Sequence, residues 1–189
     1  MFNRIVSAFF ALLILASASY ASIVDANSRM GRLDFGLGTG ILYSGGNIEY
    51  GMSDSMSLGV DFVTADLTLA GGWMLMLIDK QDKMTGNFYD AHINYQIIEG
   101  NDNQPFNVSL LGGVGQYIVK VAEETQDSRT MMVGGVCISS PLFFDNLIGR
   151  LNLVAGPPLG VEIAWKISDR FELNLGASAI GVIGAKLSI

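Results

Sequence analysis

Large apolar residues alternate with small or polar residues along much of this chain, most clearly between Leu33 and Tyr43. In this segment the apolar residues stand at nearly every odd position, and the even positions are mostly glycine, with one aspartate. Successive side chains of a β-strand point to opposite faces of its sheet, so a period of two predicts a strand with one apolar face and one small or polar face. The same alternation returns in most of the later segments.

Turn-forming residues divide the alternating segments into ten short predicted strands, with eight as an equally good count. The predicted strands lie at residues 32–43, 46–52, 56–68, 87–98, 106–120, 130–139, 147–155, 159–167, 171–178 and 181–189. Two of the turns are related by a weak internal repeat, because Tyr50–Leu58 resembles Trp165–Leu173 in its aromatic residue and its Ser-Asp turn. An even number of such strands predicts an all-β fold, a closed antiparallel up-and-down transmembrane barrel of eight to ten strands.

The residue types on the two predicted faces indicate which face lines the interior. One face is mostly glycine, serine, asparagine and aspartate, which suit the cramped interior of a narrow barrel. The other face is large and apolar, with aromatic residues at several strand ends, as expected where a barrel meets the lipid interface. It comprises Phe35, Leu37, Tyr43, Ile48, Tyr50, Leu58, Val60, Phe62, Tyr95, Trp165, Phe171, Leu173 and Leu175. A soluble periplasmic barrel of the lipocalin kind is the alternative, in which the apolar face would turn inward.

The amino-terminal segment and the composition favour an exported membrane protein. Residues 1–21 read as a secretory signal peptide, with a basic start, an apolar run from Ile5 to Ala16 and small residues before the expected cleavage point. Residues 22–189 are then one barrel domain. Mean hydropathy is +0.39 and only 15% of the residues are charged, against about 25% in typical soluble domains. The net charge of −7 argues against nucleic acid as a partner.

The strand register places most charged residues toward the barrel interior. On the lipid face a basic side chain near the middle of the bilayer would cost about 2–4 kcal/mol. The predicted lumen-lining residues are Asp34, Glu49, Asp61, Asp90, His92, Arg150, Glu162, Lys166, Glu172 and Lys186. This set holds more acids than bases, which predicts either a salt-bridged plug that closes the barrel or a water-filled lumen that favours cations.

The sequence offers little catalytic chemistry. Asp90 and His92 lie two residues apart on one predicted face, where they could pair as orienter and base, but a histidine held by a carboxylate inside a barrel is more often structural. No metal-ligand cluster, phosphate-binding loop or Gly-x-Ser-x-Gly motif is evident, so we expect neither an enzyme, a metal site nor a cofactor. The single Cys137 cannot form an internal disulfide.

The segment Leu69–Ile78 is apolar but does not alternate. One interpretation is the outer end of a strand whose register is lost at Gly71 and Gly72. The other is an apolar external loop that forms a hydrophobic gate, with Trp73, Met74 and Met76 as the gating residues.

Several segments resemble the small bacterial outer-membrane β-barrel proteins, a porin-like superfamily. The resemblance rests on the glycine-interleaved first strand, on Asn47–Asp54 followed by Ser57–Val60, and on Gly160–Ile163 leading into a Ser-Asp-Arg turn, and it covers roughly residues 31–189. It implies a place in the bacterial outer membrane, contact with outer-membrane lipid and insertion by the barrel-assembly machinery. Members typically end in an aromatic residue, whereas this chain ends in Ile189.

These observations predict an outer-membrane barrel with a structural or surface-interaction role, or a narrow cation-favouring channel. A transporter or binder of small hydrophobic molecules is the alternative. If the amino terminus lies on the periplasmic side, strand parity places the short turns near residues 53–55, 101–105, 139–142 and 168–170 on that side too.

Overall fold

The computed structural model describes residues 29–40, 43–66, 68, 83–155, 160–177 and 182–189. Within these ranges the chain forms ten strands. They are β1 (Leu33–Gly40), β2 (Tyr43–Ser53), β3 (Met56–Asp66), β4 (Met84–Ile98), β5 (Asn107–Val121), β6 (Glu124–Pro141), β7 (Leu147–Ala155), β8 (Gly160–Ser168), β9 (Phe171–Ala177) and β10 (Val182–Ser188). The predicted signal peptide, residues 1–21, lies outside the described residues, and no helix among them is long and apolar enough to cross a membrane.

The sheet closes into a barrel. Each strand pairs antiparallel with its neighbours in sequence, and β1 also pairs with β10, from Asp34 opposite Ser188 to Gly40 opposite Val182. Closure removes the unpaired strand edges that an open sheet would expose. The predicted all-β, closed up-and-down fold is confirmed, and the strand number is ten rather than eight.

The two faces of the sheet point as the alternation predicts. Of the predicted apolar outer residues, Phe35 and Phe171 are half-buried and the side chain of Tyr43 is not among those described. The exposed members are Leu37, Ile48, Tyr50, Leu58, Val60, Phe62, Tyr95, Trp165, Leu173 and Leu175. On β3 the burial alternates residue by residue from Met56 to Asp66, with Ser57, Gly59 and Asp61 inside. Over most of the barrel wall, the inner face is therefore polar and the outer face apolar.

The connections near residues 54–55, 99–106, 142–146 and 169–170 share one end of the barrel with Arg29–Arg32 and Ile189, as the strand parity predicts. We call this the turn end, and the opposite end the loop end. The two turns of the internal repeat also share an irregularity, because the register shifts between Gly51 and Ser53 and, at the matching place, between Lys166 and Ser168. The repeat therefore encodes a turn together with a β-bulge.

The β5–β6 connection is shorter than the sequence suggests. Residues 122–129 look like a long polar loop, but β6 already begins at Glu124, and a two-residue turn joins the strands. Ala122 and Glu123 both have positive φ, 50° and 71°, as the tightest hairpin turns require. Residues 124–130 of β6 are polar and mostly exposed, whereas β5 opposite them remains paired with β4 as far as Val121. In the described part of β7, pairing with β6 starts only at Gly134.

Apolar side chains fill the interior toward the loop end, where the sequence predicts mainly polar ones. Val63, Phe88 and Tyr117 are directly opposite one another on β3, β4 and β5, and each is at most 4% exposed. The Phe88 ring lies over Gly115, where an added Cβ would fall 2.7 Å from the ring. A glycine on the neighbouring strand is what lets the aromatic ring lie across the interior.

Phe88→Ala is expected to lower the free energy of unfolding by about 3–5 kcal/mol, because it leaves a cavity in a packed interior. Tyr89→Ala, on the outer face of the same strand, is the matched control and should cost less, since Tyr89 is already 48% exposed. Urea unfolding of the two variants in detergent micelles measures the difference. Equal losses would contradict the assignment of the faces.

Candidate functional site

Nine of the ten predicted lumen-lining residues are buried inside the barrel. They are Asp34, Glu49, Asp61, Asp90, His92, Arg150, Glu162, Glu172 and Lys186, each at most 7% exposed. The tenth, Lys166, is only half-buried. It lies at the turn end, where it borders a cavity of about 170 Å³ together with Arg29, Arg32 and Asp145.

Arg150 is the centre of the larger group of charges. Its side chain on β7 is fully buried and donates to Glu162 on β8 at 2.8 Å and to Glu172 on β9 at 2.7 Å. Three consecutive strands are thus joined inside the wall by one guanidinium, whose fork matches carboxylate geometry. Burial of all three side chains makes these charge-assisted hydrogen bonds stronger than surface ion pairs.

The same group continues across the seam that closes the barrel. Lys186 on β10 lies 4.0 Å from Glu172 and 3.4 Å from Asp34 on β1. Arg32, just before β1, donates to Asp34 at 2.7 Å and to Ser188 on β10 at 2.8 Å. We call Arg32, Asp34, Arg150, Glu162, Glu172 and Lys186 the arginine cluster. It links β7 through β10 to β1.

A second group of charges lies on β3 and β4. Nδ1 of His92 is 2.7 Å from Oδ1 of Asp90, two residues earlier on the same strand, and 3.5 Å from Oδ2 of Asp61. Asp61 and Asp90 are directly opposite each other in the β3–β4 register. We call these three residues the histidine cluster. All three are at most 4% exposed.

Glycines make the room for the imidazole. An added Cβ at Gly59, opposite His92 on β3, would lie 2.3 Å from Nε2 of His92. Gly113 stands opposite His92 on β5, and a Cβ there would lie 2.7 Å from the His92 Cα atom. The histidine side chain therefore occupies space that any larger residue at position 59 would fill.

Charge is balanced in one cluster and not in the other. The arginine cluster has three acids and three bases, because Arg32, which the sequence-based set omits, supplies the third cation. The histidine cluster has two acids and one histidine, and the nearby Glu49 is held by the hydroxyl of Ser57. The acidic surplus noted in the sequence is therefore concentrated on β2 to β4.

The sequence places Asp90 and His92 together but gives no sign that Asp61 joins them. Asp61 lies on a different strand, and only the β3–β4 register sets it opposite Asp90. One signal in the sequence could have identified this contact. If β3 and β4 are assumed to pair as a hairpin, Asp61 and Asp90 lie equally far from its connection and are therefore opposite each other. The predicted gate residues Trp73, Met74 and Met76 lie outside the residues that the structure describes.

No protein-family model matches this chain, and none of the curated proteins matches it. Two solved structures that are similar to it are the N-terminal β-barrel domain of Pseudomonas aeruginosa OprF and Ail, the attachment invasion locus protein of Yersinia pestis. The OprF domain is 9% identical with a TM-score of 0.38, and the match covers 85% of this chain and 98% of that one. Ail is 9% identical with a TM-score of 0.34, and the match covers 85% of this chain and 99% of that one. At this level neither structure bears on what this chain binds or does.

Arg150→Met is expected to lower the free energy of unfolding by about 3–5 kcal/mol, because it leaves two buried carboxylates without their guanidinium. Adding Glu162→Gln to that variant should recover part of the loss, since Glu172 keeps Lys186 nearby. Urea titration of both variants, with the wild type in the same detergent, measures the two differences. A double variant no more stable than the single one would show that the charge pairing is not what Arg150 contributes.

Proposed function

We infer that this chain is a closed β-barrel of the bacterial outer membrane, with a structural or surface-interaction role rather than that of an open pore. The observation that carries this conclusion is the inversion of polarity across the wall. Charged side chains such as Arg150 and Lys186 are buried inside, while large apolar side chains stand exposed outside. Water would penalise that outer surface, and lipid would accommodate it.

The exposed apolar residues occur around the whole barrel. Examples from separate strands are Leu37, Ile48, Val60, Ile93, Leu110, Leu153, Val161, Leu175 and Ile183, each at least 46% exposed. Because the closed sheet pairs its backbone groups between strands, it meets the requirement that a membrane core sets for every polar backbone atom. The soluble lipocalin-like alternative needs the opposite arrangement, with the apolar face inward.

Aromatic side chains mark the turn end of the outer face. Tyr50, Tyr95 and Trp165 each lie three residues before the end of their strand and are 47–53% exposed. Phe143 and Phe144 project from the β6–β7 turn and are 89% and 69% exposed. Aromatic girdles of this kind lie at the interfaces of membrane barrels. We assign the turn end to the periplasmic interface.

The interior supports a closed barrel. The largest fully buried side chains reach inward from different parts of the wall. They include Arg150, Phe88, Lys186 and His92. Ionic bonds fix the arginine cluster, and Phe88 packs between its neighbours nearer the loop end. A narrow barrel is one that its own side chains can fill.

The β5–β6 hairpin supports a role at the cell surface. Its residues 124–130 are polar and mostly exposed, and they extend past the part of the β6–β7 pairing that the structure describes. A stiff, solvated hairpin beyond the membrane can contact other molecules without changing the barrel. The alternative that the barrel transports small hydrophobic molecules rests on residues 69–78, outside the described part of the chain.

A narrow cation-favouring channel is the second candidate function. The specific observation in its favour is the concentration of acidic side chains on β2 to β4, where Glu49, Asp61 and Asp90 outnumber the single His92. Rings of acidic side chains favour cations in channels. This function would require the filled interior to open.

Cell fractionation tests the membrane assignment. We expect the protein in the outer-membrane fraction, with a faster gel mobility before boiling than after, because a closed sheet resists detergent until heated. Recovery of a soluble periplasmic protein with no mobility shift would contradict the proposal and favour the inward-facing apolar barrel.

Planar-bilayer recording separates the closed barrel from the channel. Wild-type protein should insert without steady conductance, because charged and aromatic side chains fill the interior. Phe88→Ala is the variant whose conductance is compared with that of the wild type, because it removes a ring from the loop-end half of the interior without removing a charge. Its heat-modifiable gel mobility is checked first, to show that the barrel is folded. Steady, cation-selective current through the wild type would favour the second candidate and count against the first.

A further inference from the structure

We propose that Asp61, Asp90 and His92 form a buried binding site for one divalent transition-metal ion, of which Zn²⁺ is the best fit, inside the barrel wall. The three side chains bring one ring nitrogen and two carboxylates together, and their ligand atoms all lie within 4.8 Å of one another. The proposal concerns the folded barrel itself and does not depend on whether the barrel conducts ions.

The site has polar atoms that the protein leaves without hydrogen bonds. Both carboxylate oxygens of Asp61, Oδ2 of Asp90 and Nε2 of His92 are buried without a hydrogen-bond partner. Asp61 is 1% exposed, and its Oδ2 faces Nδ1 of His92 at 3.5 Å. Buried polar groups are nearly always satisfied, so an entire carboxylate without a hydrogen bond points to a ligand that would complete the site.

The spacing of the donor atoms suits zinc. On a tetrahedral zinc ion with bonds of about 2.0–2.2 Å, neighbouring ligand atoms lie about 3.3–3.6 Å apart. The distance from Nδ1 of His92 to Oδ2 of Asp61, 3.5 Å, already has this value. Zinc binding would displace the proton from Nδ1 of His92, and the 2.7 Å separation from Asp90 would widen by less than about 1 Å as both groups turn to the ion.

The chemistry of the donors selects the kind of ion. Imidazole suits zinc and its neighbours in the first transition row, whereas Mg²⁺ and Ca²⁺ prefer oxygen ligands in larger numbers. Three protein ligands would leave the fourth zinc position open to water. A divalent ion also neutralises two carboxylates beside a neutral imidazole, and that removes the cost of burying an uncompensated charge.

The surroundings hold the ligands in place. Gly59 and Gly113 face His92 from β3 and β5, and because neither has a side chain, the histidine fits closely between the two strands. The apolar row of Val63, Phe88 and Tyr117 lies two residues nearer the loop end than Asp61 and Asp90. It shields the site from that side, and a dry shell strengthens the attraction between the ion and its ligands.

Zinc titration of the purified barrel tests the proposal. The protein, freed of its tag, stripped with chelator and held in detergent, is titrated with ZnCl₂ by calorimetry. We expect one saturable site per chain, and no comparable binding of MgCl₂. Asp61→Asn and His92→Gln should each weaken zinc binding by at least about 100-fold, because each removes a ligand.

Two control variants each remove one carboxylate, as Asp61→Asn does. Asp127→Asn removes a half-buried acid on the β5–β6 hairpin, and Glu49→Gln removes a buried acid that is hydrogen-bonded to Ser57 and is not one of the proposed ligands. Both should retain the zinc site. Equal binding by the wild type, Asp61→Asn and His92→Gln would overturn the proposal, as would the absence of saturable zinc binding in the wild type.

A spectroscopic measurement decides the matter if the ligand variants fail to give the mobility shift of a folded barrel. X-ray absorption at the zinc edge of the wild-type complex should show oxygen donors with the scattering pattern of one imidazole and no sulfur. A spectrum without imidazole, or with sulfur from Cys137, would reject the assigned ligands.

Discussion

Closure of the sheet between β1 and β10 is the constraint on which the rest of this structure depends. Seven residue pairs join these strands, from Asp34 opposite Ser188 to Gly40 opposite Val182. Once the sheet is closed, one face of every strand is confined to a narrow interior and the other is turned outward. The polar face must then satisfy its charges internally, and the apolar face is left exposed on the outside of the barrel.

The buried charges are balanced near the β1–β10 seam but not on β3 and β4. Near the closing seam, acids and bases are matched one to one. Arg150 and Lys186, with the half-buried Arg32, join five strands through these contacts. On β3 and β4 the match fails, because Asp61 and Asp90 share one histidine. A uniform salt-bridged plug would not need such an exception. Unbalanced buried charge commonly marks a functional place rather than a stabilising one.

The barrel is also unequal along its axis. The turn end has short connections, bulged strand ends and exposed aromatic residues, while the loop end has an apolar interior and the extended β5–β6 hairpin. A filled interior and a protruding hairpin suit a protein whose contacts are made at the surface. In the proposed surface role, the closed barrel is the rigid support for those contacts.

The sequence by itself determined the fold class and the face on which nine of the ten predicted interior residues lie, whereas it left eight and ten strands as equal counts and only the structure gives ten. It could do so because a period of two is a local property of each strand. It could not foresee that Arg32 completes the arginine cluster, that Asp61 meets Asp90, or that Phe88 crosses the interior over Gly115. Those contacts depend on the register between strands, and register is decided only when the hairpins pair and the sheet closes.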